Sequence, residues 1–379
     1  MDMLKTLIVT LSMTIALGGC VFEPDHKAAI DTTGMSKLEV VGMELFFDES
    51  LSTPPGQACA SCHLPTAGFA DPDDHHSTSE GVHPGRFGSR NAPVVSYAKF
   101  SPPFHFDKTE GLYVGGQFWD GRASTLEEQA KQPFLNPVEM ANPGPHVVAG
   151  KVRKAWYAGE IRELFGDEVF NDDLKLYDAI ASAIAAFERS EAVSPFTSKY
   201  DYFLAGKVDL TPDEKLGLEL FEREDKGNCA ACHPSQPGDD GSKPLFTDFT
   251  YDNLGVPSNT ENPHLRNDPQ FNPHGVAFVD LGLGGKAGVD RKSEHGKFKV
   301  PTLRNIADSA PYMHNGVFLT LREVVDFYNV RDTDPTRWGP PEVAENVNSD
   351  ELGNLGLNDE EVDAIVTFMQ TLTDGYTIK

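Results

Sequence analysis

The sequence carries Cys-x-x-Cys-His twice, as Cys59-Ala60-Ser61-Cys62-His63 and as Cys229-Ala230-Ala231-Cys232-His233. This pattern attaches a c-type haem. Two thiols three residues apart reach the two vinyl groups of one porphyrin and form thioether bonds. The adjacent imidazole, of His63 or His233, then ligates the iron from one face. A disulfide framework would leave the trailing His unexplained at both sites. A zinc site would need a second pair of ligands near each motif, and Cys20 is the only other cysteine. The chain reads as a di-haem redox protein.

A length of 379 residues suggests two domains, each with its own core, and one haem motif falls in each half. Hydrophobic content of 39% is ordinary for a soluble protein, and no internal apolar run approaches a membrane span. The N-terminus looks like a targeting segment. Lys5 precedes an apolar stretch from Leu7 to Leu17, followed by Gly18-Gly19-Cys20. This is a signal peptide over 1–19, and the small residues before Cys20 resemble a bacterial lipobox. Of five cysteines, two serve each haem and Cys20 remains for lipidation. A flexible tether over 20–35 would then hold a soluble body to a membrane through the lipid alone. Val21 rather than Asp follows Cys20, which points to the outer membrane. The expectation is an exported, periplasm-facing or surface lipoprotein. The formal net charge of -26 disfavours nucleic acid and anionic headgroups. It suits a basic electron-transfer partner, and equally suits simple solubility.

Along the chain, Gly42-Met43-Glu44-Leu45-Phe46 precedes the first haem motif and Gly217-Leu218-Glu219-Leu220-Phe221 the second. Each reads as a helix running into a haem-bearing loop. The fold class expected is mainly α, two cytochrome-c-like haem domains with long loops and few strands. The first domain spans 36–205 and the second 206–379. Asp173 to about Ser190 is apolar at helical spacing. Thr211-Pro212-Asp213-Glu214 is a capping box with Pro at the first helical position. Asn358-Asp359-Glu360-Glu361 opens a last amphipathic helix. The stretches 64–118 and 234–300 are long, Gly- and Pro-rich loops of the kind that carry function. Bound haem could supply the apolar mass that they lack.

Three further blocks are specific: Arg90-Asn91-Ala92-Pro93, Gln117-Phe118-Trp119-Asp120-Gly121-Arg122-Ala123 and Phe298-Lys299-Val300-Pro301-Thr302-Leu303-Arg304-Asn305. Asn136-Pro137-Val138-Glu139-Met140 and Pro311-Tyr312-Met313-His314-Asn315-Gly316 join them. In this order, around two haem sites, the chain over about 36–375 resembles the bacterial di-haem cytochrome c peroxidase and MauG superfamily.

The resemblance implies that the haem on His63 meets hydrogen peroxide and that the haem on His233 handles electrons. It places the distal acid–base carboxylate at Glu127, ten residues after Gln117, with Gln117 in the same pocket. Locally, Ser124-Thr125-Leu126-Glu127 also reads as a capping box, and Thr125 with Glu128 as a second. The displaceable His of classical peroxidases has its nearest counterpart in His83, one residue out of register. At the second haem those enzymes use Met, whereas the matching position here is Tyr328, as in MauG-type enzymes. Phenolate favours oxidised iron and thioether favours ferrous iron. The alternative is that Tyr328 is a core aromatic and Met313 the ligand. The usual inter-haem Trp is matched by Pro102-Pro103-Phe104-His105-Phe106-Asp107, which has none. A calcium ion between the domains would be held by Asn91, Ser309 and the Pro311 carbonyl.

The implied function is a peroxide-using di-haem oxidoreductase. Its partner would be a small c-type cytochrome or other redox protein, or a protein substrate oxidised at long range, and a homodimer would be in keeping with the family. The competing class is a non-catalytic electron-transfer cytochrome, which would need neither Glu127 nor Gln117.

Overall fold

A computed structural model of the chain describes residues 27, 30–72, 75–289 and 291–378. Cys20 and the signal and lipobox readings lie outside these residues. The helices are α1 (Lys37–Phe46), α2 (Leu126–Leu135), α3 (Pro145–Val152), α4 (Ala158–Asn171), α5 (Asp173–Glu188), α6 (Lys199–Leu204), α7 (Pro212–Glu222), α8 (Leu321–Val330), α9 (Pro335–Trp338) and α10 (Asp359–Gln370). Two short antiparallel ribbons complete the regular structure: β1 (His105–Asp107) on β2 (Leu112–Val114), and β3 (Tyr251–Asp252) on β4 (Phe298–Lys299). The molecule is mainly α, as expected. Among the described residues no helix is long and apolar enough to cross a membrane.

The helix starts follow from their caps. Ser36 with Glu39, Thr211 with Glu214 and Asn358 with Glu361 each close a reciprocal capping box. Each box satisfies two backbone N–H groups that the first helical turn cannot pair internally. In α5, Asp172 accepts from the amides of Leu174 and Lys175. That helix ends at Glu188, close to the expected Ser190.

Two buried cores are built on one plan. In the first, α1 crosses α5; in the second, α7 crosses α10. Glycine sits at each crossing. A Cβ on Gly42 would collide with the Ala183 carbonyl and press on Phe187, and a Cβ on Gly217 would collide with the Ala364 carbonyl and press on Phe368. The backbones can approach this closely only because these positions lack a side chain. A triad of rings closes each core. Phe46 meets Phe187 at 5.2 Å and Phe69 at 6.3 Å, edge to face. Phe221 meets Phe368 at 5.2 Å and Phe246 at 6.2 Å in the same manner. Edge-to-face contact sets the negative face of one ring against the positive edge of the next.

The long loops bind the halves together. Arg90 pairs with Asp120 (2.7 Å) in its own half and with Asp280 (2.6 Å) in the other. The Tyr251 hydroxyl donates to the Gly115 carbonyl, and the Lys299 N–H to the Trp119 carbonyl at 2.8 Å. Arg304 is fully buried, pairs with Asp201 at 2.7 Å and lies over the rings of Tyr97 and Phe246.

Candidate active site

Both haem motifs begin in a single 3-10 turn, Cys59–Ser61 and Cys229–Ala231. The His amide then donates back to the first Cys carbonyl, at 3.0 Å for His63 and 2.9 Å for His233. This turn sets the two thiols and the imidazole on one side of the loop. Burial pushes both imidazoles down to about 4, so each is neutral at physiological pH, the form that ligates iron.

The second imidazole is held by the Phe246 carbonyl, 2.7 Å from His233 Nδ1. With Nδ1–H donating there, Nε2 is left as the ligating nitrogen. Phe246 has φ 53° and Phe69 φ 64°. These left-handed backbones turn a carbonyl back toward each histidine. At the first site the Phe69 carbonyl lies against His63, but Nδ1 closes no hydrogen bond and the carbonyl accepts from the Val95 N–H at 3.0 Å. The two proximal histidines therefore differ in how firmly they are held.

A cavity opens over His233, lined by Cys229, Cys232, Tyr328 and Met313 among mostly apolar side chains. Two thiols, a neutral imidazole with one nitrogen committed, and a large apolar space suit a covalently held haem. Tyr328 projects from α8. Burial, with the Cys232, Cys229 and Asp252 charges, pushes its hydroxyl well above the usual tyrosine range, and Arg331 opposes. A phenolate here would need a cation beside it. Met313 reaches the same cavity from a turn at φ 72°, so both candidate ligands border the space above His233. His314, next in sequence, is stacked on Phe298 at 3.6 Å and lies 3.4 Å from Glu342.

Around the first motif, Gln57 donates to the Glu80 carbonyl at 2.9 Å and lies 3.9 Å from Cys62 Sγ. Gln117 is buried and donates to the Ala98 carbonyl at 3.1 Å. Glu127 lies in the first turn of α2. The cap there is made by Thr125, with Glu128 bonding one residue further back: Glu128 N–H donates to Thr125 Oγ1 (3.3 Å) and Ser124 N–H to Glu128 Oε2 (2.7 Å). Glu127 is thus not the capping carboxylate. It forms a bidentate pair with Arg189, at 2.6 and 3.0 Å, and that guanidinium holds its carboxyl down at about 2. His83 sits in a half-buried turn closed by Gly81 N–H on the Arg86 carbonyl (2.7 Å).

Asn91 Nδ2 donates to the Pro311 carbonyl at 3.1 Å, and both line the large cavity with Ser309, whose hydroxyl donates to the Ile306 carbonyl. In the stretch matching the relay position, Phe104 stacks on Tyr113 at 5.2 Å. Trp119 borders the cavity, its Nε1–H donating to the Asn91 carbonyl at 2.9 Å.

Comparison with known proteins agrees with this geometry. The family model for di-haem cytochrome c peroxidase matches residues 36–209. The methylamine utilization protein MauG of Paracoccus denitrificans is 40% identical over 352 residues, covering 89% of this chain and 88% of its own. The chain belongs to the di-haem cytochrome c peroxidase and MauG family. It is accordingly a di-haem peroxidase, an oxidoreductase with two c-type haems. The cytochrome c551 peroxidase of Nitrosomonas europaea is 32% identical over 385 residues, covering 97% of this chain and 92% of its own. The di-haem peroxidase BthA of Burkholderia thailandensis, in a Tyr-to-Met variant, superposes with a TM-score of 0.81 at 35% identity, covering 89% of this chain and 86% of that one.

Sequence reasoning missed several residues that surround these positions. Arg189, Glu188 and the carbonyl acceptors Phe69 and Phe246 carry no local motif. Lys299 was quoted only as part of a block. It is half-buried, its Nζ donates to the Gly116 carbonyl at 2.6 Å, and desolvation lowers it to about 8.

Proposed function

We propose that this di-haem peroxidase is of the MauG type, oxidising side chains of a protein partner at the expense of hydrogen peroxide. The observation that carries the reading is Tyr328 bordering the same cavity as Cys229, Cys232 and His233. A phenolate ligand favours oxidised iron, so the second haem would share oxidising equivalents rather than supply a reducing electron. In this reading His63 and His233 are the proximal ligands, and the haems supply the redox chemistry. Glu127 takes a proton from peroxide and Gln117 hydrogen-bonds in the same pocket. The 40% identical relative bears the MauG name, which supports the same branch.

Met313 supports a second reading, a classical peroxidase with a thioether at the second haem and a small cytochrome as donor. Peroxide titration of the diferric holoprotein without reductant separates the two. Rapid conversion to a long-lived oxidised state with new near-infrared absorption is the MauG outcome. Inertness until one haem is reduced, followed by turnover with reduced cytochrome c, sinks the Tyr328 reading.

Asn91, Ser309 and the Pro311 carbonyl are the proposed calcium ligands. Asn91 and Pro311 already meet, and a half-turn of the Asn91 amide presents oxygen to a hard cation. Cleavage before Cys20 and lipidation there would leave the enzyme facing the periplasm from the outer membrane. Electrospray mass of the mature protein tests this, since an unlipidated Cys20 would remove the anchor.

A further inference from the structure

Under the MauG-type reading, oxidising equivalents have to cross from the second haem cavity to the surface. Phenylalanine is far harder to oxidise than tryptophan, so the last stop on that way belongs to an indole. The chain has three, Trp119, Trp156 and Trp338. Trp119 borders the cavity from within, its Nε1–H donating to the Asn91 carbonyl. Trp156 is 73% exposed, but its ring contact is with Tyr157 at 5.6 Å, in the first core.

Trp338 is placed differently. It ends the short helix α9, half-buried, with exposed residues over 332–337 and 339–340 on either side. Its ring packs against Phe327 at 5.5 Å and Phe318 at 5.4 Å, both edge to face. Phe327 is fully buried and lies 6.2 Å from the ring of Tyr328, its neighbour on α8. Tyr328 borders the cavity with Cys229, Cys232 and His233. Rings in successive contact, Tyr328, Phe327 and Trp338, thus join the cavity wall to solvent.

We propose that Trp338 is the surface residue through which oxidising equivalents leave the second haem for an aromatic side chain of the partner protein. This rests on the MauG-type reading above. Peroxide, two electrons from the haem pair and two protons give two waters. One electron then passes from the Trp338 indole, across Phe327 and Tyr328, to the oxidised pair and leaves the indole as a radical cation. Phe327 is not itself oxidised and serves as packed medium. The partner's aromatic side chain gives one electron to the indole, restores it and releases a proton to solvent. A second such transfer refills the haem pair and leaves the partner oxidised by two electrons. Arg337 lies over the indole face, 4.4 Å from its centroid, and Asp326 holds it at 2.8 Å. A cation on the face is attracted by the ring's electrons and opposes their loss. The oxidised indole is therefore a strong oxidant that is quickly refilled, and Asp326 offsets part of the cost of forming it.

The test uses the diferric holoprotein with a pyrroline N-oxide spin trap as the radical probe. The variants are Trp338→Phe, Trp156→Phe and Arg337→Gln, with the resting haem spectra as the check on folding. After peroxide is added without reductant, peptide mass mapping is expected to find the trap adduct on Trp338. Trp338→Phe should reach the oxidised state at the wild-type rate, lose that adduct and hold the oxidised state longer. Trp156→Phe should keep both the adduct and the wild-type decay. Arg337→Gln should carry more adduct, because the radical forms more easily. Adduct on Trp119 or Trp156 with none on Trp338 overturns the assignment, as does a Trp338→Phe variant whose oxidised state decays as in wild type. A wild-type holoprotein inert to peroxide until one haem is reduced overturns the MauG-type reading itself.

Discussion

Single side chains decide the chemistry. The family block offers Glu127 as the acid–base carboxylate, whereas its local sequence favours a cap. The structure gives the cap to Glu128, since the hydroxyl of Thr125 meets the amide three residues on. Glu127 is left to Arg189, a contact between residues 62 apart that no local pattern announces. Its pKa is depressed, so the pair contributes stability above the ordinary carboxylate range, lost as pH falls toward about 2. Both partners are partly exposed, and the contribution is at most about 1 kcal/mol. Arg189→Ala should therefore lower the neutral-pH stability by no more than that amount, and the difference from wild type should vanish in strong acid, read by denaturant titration. Glu127→Gln should slow the peroxide reaction by about 10²-fold or more, in stopped-flow absorbance. Tyr328→Phe keeps the ring and removes the oxygen. It should alter the absorption and paramagnetic resonance of the second haem and leave those of the first intact; a second haem with an unaltered spectrum would return the ligand role to Met313.

Helices were the most legible elements, because capping boxes and apolar spacing are local. Thr211, Asn358 and the Asp173 helix appear where the pattern placed them. The meaning of the Gly-x-Glu-Leu-Phe repeat was less legible. Its glycine marks a helix crossing, and its phenylalanine a ring triad, both of which depend on residues far along the chain. Gly42→Ala and Gly217→Ala each drive a methyl into a facing backbone carbonyl. Each should lower stability by roughly 1–3 kcal/mol, seen as a fall in the thermal midpoint. A glycine with open space beside it offers the control: Gly150→Ala in α3 meets nothing within 4 Å and should stabilise slightly, by up to about 1 kcal/mol.

Across the whole molecule, the loops that looked structureless hold the halves in register. Arg90 is half-buried between Asp120 and Asp280, and these carboxylates outweigh the cost of its desolvation. Arg90→Met leaves buried Asp280 without its cation, whereas Asp120 keeps Arg122 at 3.1 Å, and should destabilise by about 3 kcal/mol. It should also loosen the geometry between the haems, measured as slower transfer of oxidising equivalents from the first to the second. From its own residues the sequence determined two c-type haems and a mainly helical chain around them, because thioether attachment and helix capping are written in contiguous residues. Tertiary structure alone decided that Glu127 faces Arg189, that Phe246 grips its histidine more firmly than Phe69, and that Tyr328 and Met313 border one cavity. Those facts depend on distances between residues tens to hundreds of positions apart, and only packing sets such distances.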